Sequence, residues 1–294
     1  MHETRTNVLT RRQALLSISA LAAGALIRPT SIFAFEPVKK SVRFTILGDW
    51  GTGDGAASGI ASQILRSHTA SPLDFVIAAG DNIYPDGSGR RFVKNFEEPF
   101  AGLLREKMPF YAVLGNHDVR EGRQDQRQYP LFNMGGENYY SLKKGDGLAE
   151  FFMLDSTDFD APQAAWLEAQ LKQSTAKWKI AVFHHPIYSS AGTHGSSTSL
   201  RKMLEPLFVR YGVRAVFSGH DHTYERTTLQ QGIQYFVTGA GGKVRRGDID
   251  LKSPFLAKSF DEDNQFMEVE VEEQHIKFRS ITRSGLVIDG GVIS

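Results

Sequence analysis

The segment Gly80-Asp81-Asn82-Ile83-Tyr84 places a carboxylate, an amide and a phenol together, directly after the apolar run Phe75-Val76-Ile77-Ala78-Ala79. Alone, it reads as a strand followed by a loop with an Asx turn. Four further polar clusters follow the same pattern: Gly48-Asp49-Trp50-Gly51, Gly115-Asn116-His117-Asp118, His184-His185-Pro186 and Gly219-His220-Asp221-His222. Five of the nine histidines fall in these clusters. One loop histidine is usually an ordinary surface residue. Five strand ends that deliver Asp49, Asp81, Tyr84, Asn116, His117, His184, His220 and His222 call for another explanation. Oxygen and nitrogen donors without thiolates suit hard or borderline metal ions, and open α/β sheets build their sites at the carboxyl ends of strands.

Positioning these clusters requires alternating strands and helices. Residues 42–47, 75–79, 109–114, 178–183 and 213–217 read as strands. Helices are expected around Ile60, Ile64 and Leu65, and through Phe92, Val93, Phe96, Phe100 and Leu103, interrupted near Pro99. Two more are expected from Pro162 through Trp166, Leu167 and Leu171, and through Leu200, Met203, Leu204, Leu207 and Phe208. Residues 119–137 show no periodicity and read as a polar loop. Residues 138–143 and 148–154 form a hairpin around Lys144-Gly145-Asp146-Gly147. Strands alone follow, at 234–238, 265–272, 275–282 and 286–288. The order predicts an α/β protein with two packed sheets and helices outside. No repeat, low-complexity tract or linker divides it.

The chain has 294 residues and a formal net charge of +1, which gives no bulk electrostatic basis for binding nucleic acid or an anionic membrane. Arg11-Arg12 precedes an apolar stretch, 14–27, that is too short for a comfortable membrane span, and Ile32-Phe33-Ala34 offers a small residue for cleavage. The arginine pair resembles a twin-arginine export signal. Residues 1–34 are therefore expected to be an export signal and 35–294 the catalytic domain, in a periplasmic or extracellular protein with no stable membrane anchor. An ordinary secretory signal or an uncleaved anchor is the alternative. There is no cysteine, so stability must come from core packing and bound metal rather than disulfides.

The set GDWG, GDNIY, GNHD, FHHP and GHDHTYER, in this order between about residues 42 and 242, resembles the binuclear metallophosphoesterases, specifically the purple acid phosphatases. The resemblance implies a four-layer α/β/β/α sandwich of two mixed sheets flanked by helices, with two metal ions about 3.5–4 Å apart. It implies that Asp49, Asp81, Tyr84 and His222 hold the first ion and Asp81, Asn116, His184 and His220 the second, with Asp81 bridging. Many relatives carry a metal-binding histidine where this chain has Gly51, and Tyr84 takes its place. A free phenol titrates near pH ~10, so binding as phenolate needs a strongly polarising ion. Fe(III) is expected in the first site, and Fe(II), Zn or Mn in the second.

A trivalent and a divalent ion facing two carboxylates, a phenolate and a hydroxide leave one net positive charge, which favours a phosphate ester. Metal-bound hydroxide is the expected nucleophile, and no Ser or Cys elbow points to a covalent intermediate. His117 and His194, the latter in Thr193-His194-Gly195, match second-sphere histidines of the family, expected to orient phosphate or protonate the leaving group. A surface histidine is the alternative for His194. His185 is expected to be structural.

The cysteine pair of the mammalian members is missing, and the chain reads as the small, single-domain form. The expected activity is that of an exported acid phosphatase acting on phosphate monoesters. A phosphodiesterase on the same metal centre and a non-catalytic metal-binding scaffold are the alternatives, the last disfavoured by the complete ligand set. The substrates would be small phosphate esters, with phosphoproteins or nucleotides as candidates, and the protein a monomer. The short 155–161 loop would leave the site open to bulky substrates. Lys243, Arg245 and Arg246 are expected to form a solvated loop, with contact to substrate as the alternative.

Overall fold

The first strand, β1 (Ser41–Leu47), buries alternate residues on two different layers. Val42, Phe44 and Ile46 point into one apolar cluster, and Leu47 joins a second. Strand β2 repeats this with Phe75 and Ile77 on one side and Val76 and Ala78 on the other. A strand buried on both faces reads as a continuous apolar run, as these do. The computed structural model describes residues 41–294, all within one compact unit; the export signal expected over 1–34 lies outside the described residues.

In chain order, β1 is followed by α1 (Gly55–Ala70), β2 (Phe75–Ala78), α2 (Ala101–Arg105) and β3 (Phe110–Ala112). Next come α3 (Asp118–Glu121), α4 (Arg123–Gln128), β4 (Tyr140–Lys144), β5 (Ala149–Met153), α5 (Ala161–Gln173) and β6 (Trp178–Val182). The remainder is α6 (Thr198–Tyr211), β7 (Val213–Ser218), β8 (Tyr224–Thr227), β9 (Gln234–Thr238), β10 (Leu256–Phe260), β11 (Gln265–Glu272), β12 (Ile276–Thr282) and β13 (Val287–Ile293). One sheet has the order β13-β12-β11-β1-β2-β3 and the other β10-β8-β9-β7-β6-β5-β4. In the first, β1, β2 and β3 run parallel; in the second, β5, β6, β7 and β9 do.

The sheets face each other across a layer built from Phe44, Phe75, Phe151, Ile180, Phe217 and Phe236. Phe44 lies at its centre, stacked on Phe75 at 5.3 Å and edge-on to Phe151 at 5.1 Å. Helix α1 covers the outer face of the first sheet with Ala57, Ile60, Ala61 and Ile64, spaced for one helical face. Asp54 caps it by accepting from the amides of Ala56 and Ala57. Helices α5 and α6 cover the second sheet with Leu167, Leu171, Leu200, Leu204 and Phe208. The expected four-layer α/β/β/α sandwich of two mixed sheets is what the chain adopts.

Three local expectations are corrected. The helix expected through Phe92–Leu103 does break near Pro99, but its first half is a π-type turn at Val93–Glu97, preceded by a 3-10 turn at Gly89–Arg91, and its second half is only the short α2. The aromatic side chains Phe96 and Phe100 stay buried against Trp50 at 5.4 and 4.8 Å, so packing tolerates the irregular backbone. The loop expected over 119–137 holds α3, α4 and a 3-10 turn, each too short to show a period. Strands β8 and β10 carried no recognised signal, and β13 extends past Gly290-Gly291, residues that weaken a strand pattern.

Phe44→Ala should reduce unfolding stability by about 3–5 kcal/mol, because a large cavity would open between two sheets that cannot both collapse on it. Urea denaturation reads this as a lower midpoint at constant slope; an unchanged midpoint would show that the inter-sheet layer is not tightly packed.

Candidate metal centre

Every cluster that the sequence placed at a strand end sits at the carboxyl end of a parallel strand. Asp49 follows β1, Asp81 and Tyr84 follow β2, and Asn116 and His117 follow β3. From the second sheet, His184 follows β6, and His220 and His222 follow β7. Asp49, Asp81 and His220 hold left-handed backbone angles, φ 57°, 52° and 71°. Such angles in residues other than glycine cost about 1–3 kcal/mol each and collect at functional sites.

Backbone hydrogen bonds tie the loops together. The Asp49 amide donates to the Gly80 carbonyl at 2.9 Å, and the Gly219 amide to the His184 carbonyl at 3.0 Å. The Tyr84 amide donates to the Gly51 carbonyl at 2.9 Å. Asn95 bridges both first-sheet loops, its amide group donating to the carbonyls of Gly51 and Tyr84 at 2.8 and 2.9 Å.

The seven expected ligands converge as two connected groups. In one, the Tyr84 hydroxyl lies 3.0 Å from Asp49 Oδ1 and 3.3 Å from His222 Nε2, and His222 Nε2 lies 3.4 Å from Asp49 Oδ1. In the other, Asn116 Oδ1 lies 3.1 Å from His184 Nε2 and 3.0 Å from His220 Nδ1. His184 Nε2 lies 3.3 Å from His220 Nδ1 and 3.5 Å from Asp81 Oδ1. Ligand atoms about 2.1 Å from one ion are about 3.0 Å apart along the edges of an octahedron, so these separations fit donors arranged around an ion. Asp49, Asp81 and His184, all buried, also lie close enough to one another to share a metal.

The supporting bonds orient individual donor atoms. His184 presents Nδ1 to the Ala79 carbonyl at 2.9 Å, which fixes that nitrogen as the donor and leaves the Nε2 lone pair free. Asp49 Oδ2 accepts from the His220 amide at 2.7 Å, so Oδ1 is the oxygen left for a metal. The His117 amide donates to Asp81 Oδ1 at 2.9 Å. His185 Nδ1 lies 3.0 Å from the Ser156 hydroxyl, and its ring stays beside the centre, its centroid 4.5 Å from that of His220; His184, His185 and His220 also lie close enough to one another to share a metal.

His117 and His194 both reach the cavity. His117 Nδ1 lies 2.6 Å from the Pro85 carbonyl, which turns Nε2 toward Asp81 Oδ2 at 3.9 Å. His194 is exposed, yet its ring centroid lies 4.2 Å from that of His220. A cavity of about 250 Å³ is lined by Asp81, Asn116, His117, Arg120, His194, His220, His222, Lys243 and Arg245.

Two expectations need amending at this point. Lys243 and Arg245 are not in a solvated loop. They line the cavity, and Lys243 Nζ sits 3.4 Å from the centroid of the Tyr84 ring; only Arg246 is exposed, 3.9 Å from Glu262. Their approach depends on Gly241 and Gly242, where a Cβ would come within 2.6 Å of the Gly48 carbonyl and 2.9 Å of the Trp50 carbonyl. That glycine pair was the available signal. Asp118 was read only as part of GNHD, yet its buried carboxylate accepts from the amides of Asn82, Ile83 and Gly115 and from Gln126 Nε2. It clamps the second and third loops together.

Residues 42–224 match the calcineurin-like phosphoesterase family, and the chain belongs to it. Within that family it groups with the purple acid phosphatases and is a metal-dependent phosphate-ester hydrolase. It is 32% identical to purple acid phosphatase 17 of Arabidopsis thaliana over 79% of each chain. It is also 30% identical to mouse tartrate-resistant acid phosphatase type 5, over 68% of this chain and 72% of that one. Among solved structures, the yellow lupin purple acid phosphatase PPD1 superposes with a TM-score of 0.72 at 20% identity, covering 87% of this chain and 54% of that one. GAP50, the anchor in the inner membrane complex of Plasmodium, gives a TM-score of 0.77 at 21% identity, covering 87% and 89%. These two structures share the fold. The family implies a binuclear metal site, and the donor separations above fit it.

The same geometry sets the behaviour of the metal-free protein. Burial, reinforced by Asp81 and opposed by His184, pushes Asp49 up to about 8. For Asp81, burial is outweighed by His184 and the His117 amide, which hold it below the usual carboxylate range. Burial and the two carboxylates raise the Tyr84 phenol far above its ordinary value. Burial lowers His222 to about 4 and His185 to about 3, and His220 lower still.

The raised Asp49 stabilises the fold at low pH, and that contribution is lost as pH rises from about 4 to about 8. The three lowered histidines act oppositely: below about pH 6.5 the unfolded chain takes up protons that the folded chain refuses. On the acid side these histidines, joined by His117 and His194, which burial also lowers, outweigh Asp49 and Asp118, the latter raised by burial and Asp81 to about 7; above pH ~6.5 only the two carboxyls act in this balance. The chelated protein is therefore expected to melt highest near pH ~6.5 and lower on both sides. A melting temperature that kept rising to pH ~8.5 would contradict this assignment.

Proposed function

We propose that this chain is an exported acid phosphatase that hydrolyses phosphate monoesters at a two-metal centre. Asp49, Asp81, Tyr84 and His222 hold one ion in this reading, and Asp81, Asn116, His184 and His220 the other, with Asp81 shared. The observation that carries it is two groups of donor atoms, each spaced 3.0–3.5 Å within itself, with Asp81 of one group within 4.8 Å of Asp49 of the other. When bound, the ions supply charge to neutralise the phosphate oxygens and activate a water for in-line attack. A neutral phenol held by Asp49 becomes a phenolate only against a strongly polarising ion, which favours Fe(III) in the first site. The second takes Fe(II), Zn or Mn.

The chain's own groups provide the remainder. His117, with Nδ1 committed to the Pro85 carbonyl, offers Nε2 to the cavity, and His194 faces the same space beside His220. Both histidines are held below the ordinary imidazole range, chiefly by burial. Their protonated forms, which alone can donate to a leaving alkoxide, are then populated only in acidic solution. A dianionic monoester also gains more than a monoanionic diester from a cavity lined by Arg120, Lys243 and Arg245. A paired assay on an alkyl monoester and the matching diester, with metal analysis of the same sample, tests the reading. Faster diester hydrolysis, or fewer than two ions bound, would overturn it.

The iron-loaded protein should be coloured by charge transfer from Tyr84. Tyr84→Phe should lose the colour at matched iron content while keeping part of its activity, because Asp49, Asp81 and His222 remain. A visible band identical in both proteins would assign Tyr84 to packing alone. Export rests on Arg11-Arg12 and the apolar stretch after it. Among the described residues no helix is long and apolar enough to cross a membrane. Replacing the pair by Lys-Lys should retain the activity inside the cell; undiminished activity outside it would point to the general secretory route.

A further inference from the structure

Among the described residues no hydrogen bond reaches the His194 ring. Its contact is the ring of His220, 4.2 Å away between centroids and tilted by 35°. What places it is therefore the loop that carries it, which runs from the end of β6 to the start of α6. That loop is anchored on both flanks. On the first, Glu225, buried on β8, accepts from the Ser189 hydroxyl at 2.9 Å and the Ser190 amide at 2.6 Å, and Ala191 pairs with Ile249. On the second, Ser196 Oγ donates to the Ser189 carbonyl at 3.0 Å, and the Ser197 amide donates to the Pro186 carbonyl at 2.8 Å.

Between the flanks stands an exposed tip, Gly192-Thr193-His194. Gly195, at φ 72°, turns the chain back behind it, and a Cβ there would meet the Ala191 carbonyl at 2.9 Å. Among the described residues, both hydrogen bonds of the tip end on Asp248. The Gly192 amide donates to the Asp248 carbonyl and the Thr193 hydroxyl to Asp248 Oδ1, each at 2.6 Å. Asp248 is a fixed acceptor, because its carboxylate is mostly covered and the Asp250 amide, two residues on, donates to the Ser190 carbonyl at 2.8 Å. Past Gly192, the Thr193 hydroxyl makes the one hydrogen bond that ties the tip down. Without it, ring contact with His220 is what remains to hold His194.

We propose that Thr193 and Asp248 are positioning residues, whose mutual hydrogen bond holds His194 over His220 and facing the leaving group. The inference rests on the phosphatase reading for what His194 does there. Neither Thr193 nor Asp248 lines the cavity, whereas His194 does, so the pair acts through His194 and not on the ester. One hydrogen bond of this kind biases a local equilibrium about two- to tenfold. Its effect is confined to what His194 supplies: a poor leaving group depends on a positioned proton donor, and a good one does not.

Thr193→Val removes the hydroxyl at nearly constant volume on an exposed position, and Thr193→Ser keeps it. In the zinc-loaded protein, NMR of the imidazole protons reports the placement of His194 through the ring-current shift from His220; the signal absent in His194→Ala identifies it. The shift should persist in Thr193→Ser and collapse toward that of a free imidazole in Thr193→Val, with Asp248→Ala reproducing the valine variant. On glycerol 3-phosphate, Thr193→Val should lose about two- to tenfold in kcat, while 4-nitrophenyl phosphate changes less than about twofold. In the His194→Ala background the valine substitution should cost nothing further. An unmoved ring signal, equal losses on both esters, or losses that add in the double variant would each overturn the positioning role. A wild-type protein that hydrolyses neither ester rejects the phosphatase reading alone, and the ring signal then decides the placement of His194 by itself.

Discussion

Two carboxylates, Asp49 and Asp81, sit fully or almost fully buried at the ends of neighbouring parallel strands. Burying one ionised carboxylate is costly, and burying two together adds their repulsion. Asp49 answers in the metal-free chain by holding its proton, with its raised value near 8 as the signature. The arrangement is stable in ionised form only with cations between and beside the two groups. Tyr84, Asn116 and the histidines from the second sheet take positions around that requirement.

Holding such a centre open requires rigidity in its loops, and the chain supplies it from several directions. Left-handed residues at Asp49, Asp81 and His220 reverse the backbone sharply after each strand. Asp118 gathers amides from the loops after β2 and β3, and Asn95 joins carbonyls of the loops after β1 and β2. The Ala79 carbonyl sets the orientation of the His184 ring from the first sheet, although His184 belongs to the second. These contacts link the two sheets at the site, so the inter-sheet packing around Phe44 and the ligand geometry depend on each other. A change in sheet spacing would separate the donors of one group from those of the other.

The cavity has two chemical sides. Its floor is the ligand set, anionic before metal binds, and its rim is cationic, from Arg120, Lys243 and Arg245. Between them stand His117 and His194, both reluctant to take a proton. A phosphate ester entering this space would meet positive charge at the rim and these two imidazoles beside it.

Much of this was readable in the residues themselves. Each ligand lies next to an apolar run long enough to be a strand, and the local alternation of burial is enforced by side chains such as Phe44, Phe75 and Ile77. The ligand types, their strand-end positions and the layer order follow from local pattern, because strand period and loop chemistry are short-range properties. Other features needed the tertiary structure. Lys243 and Arg245 face the cavity because two backbone hydrogen bonds and a glycine pair press their segment against β1's loop, a contact between residues about 200 apart in sequence. Asp118 is a clamp rather than a ligand because of which amides surround it. Strands β8 and β10 exist through pairing with distant partners. Composition located the chemistry; only the folded chain decided which charges reach it, since long-range packing, and not local sequence, sets the distance between groups.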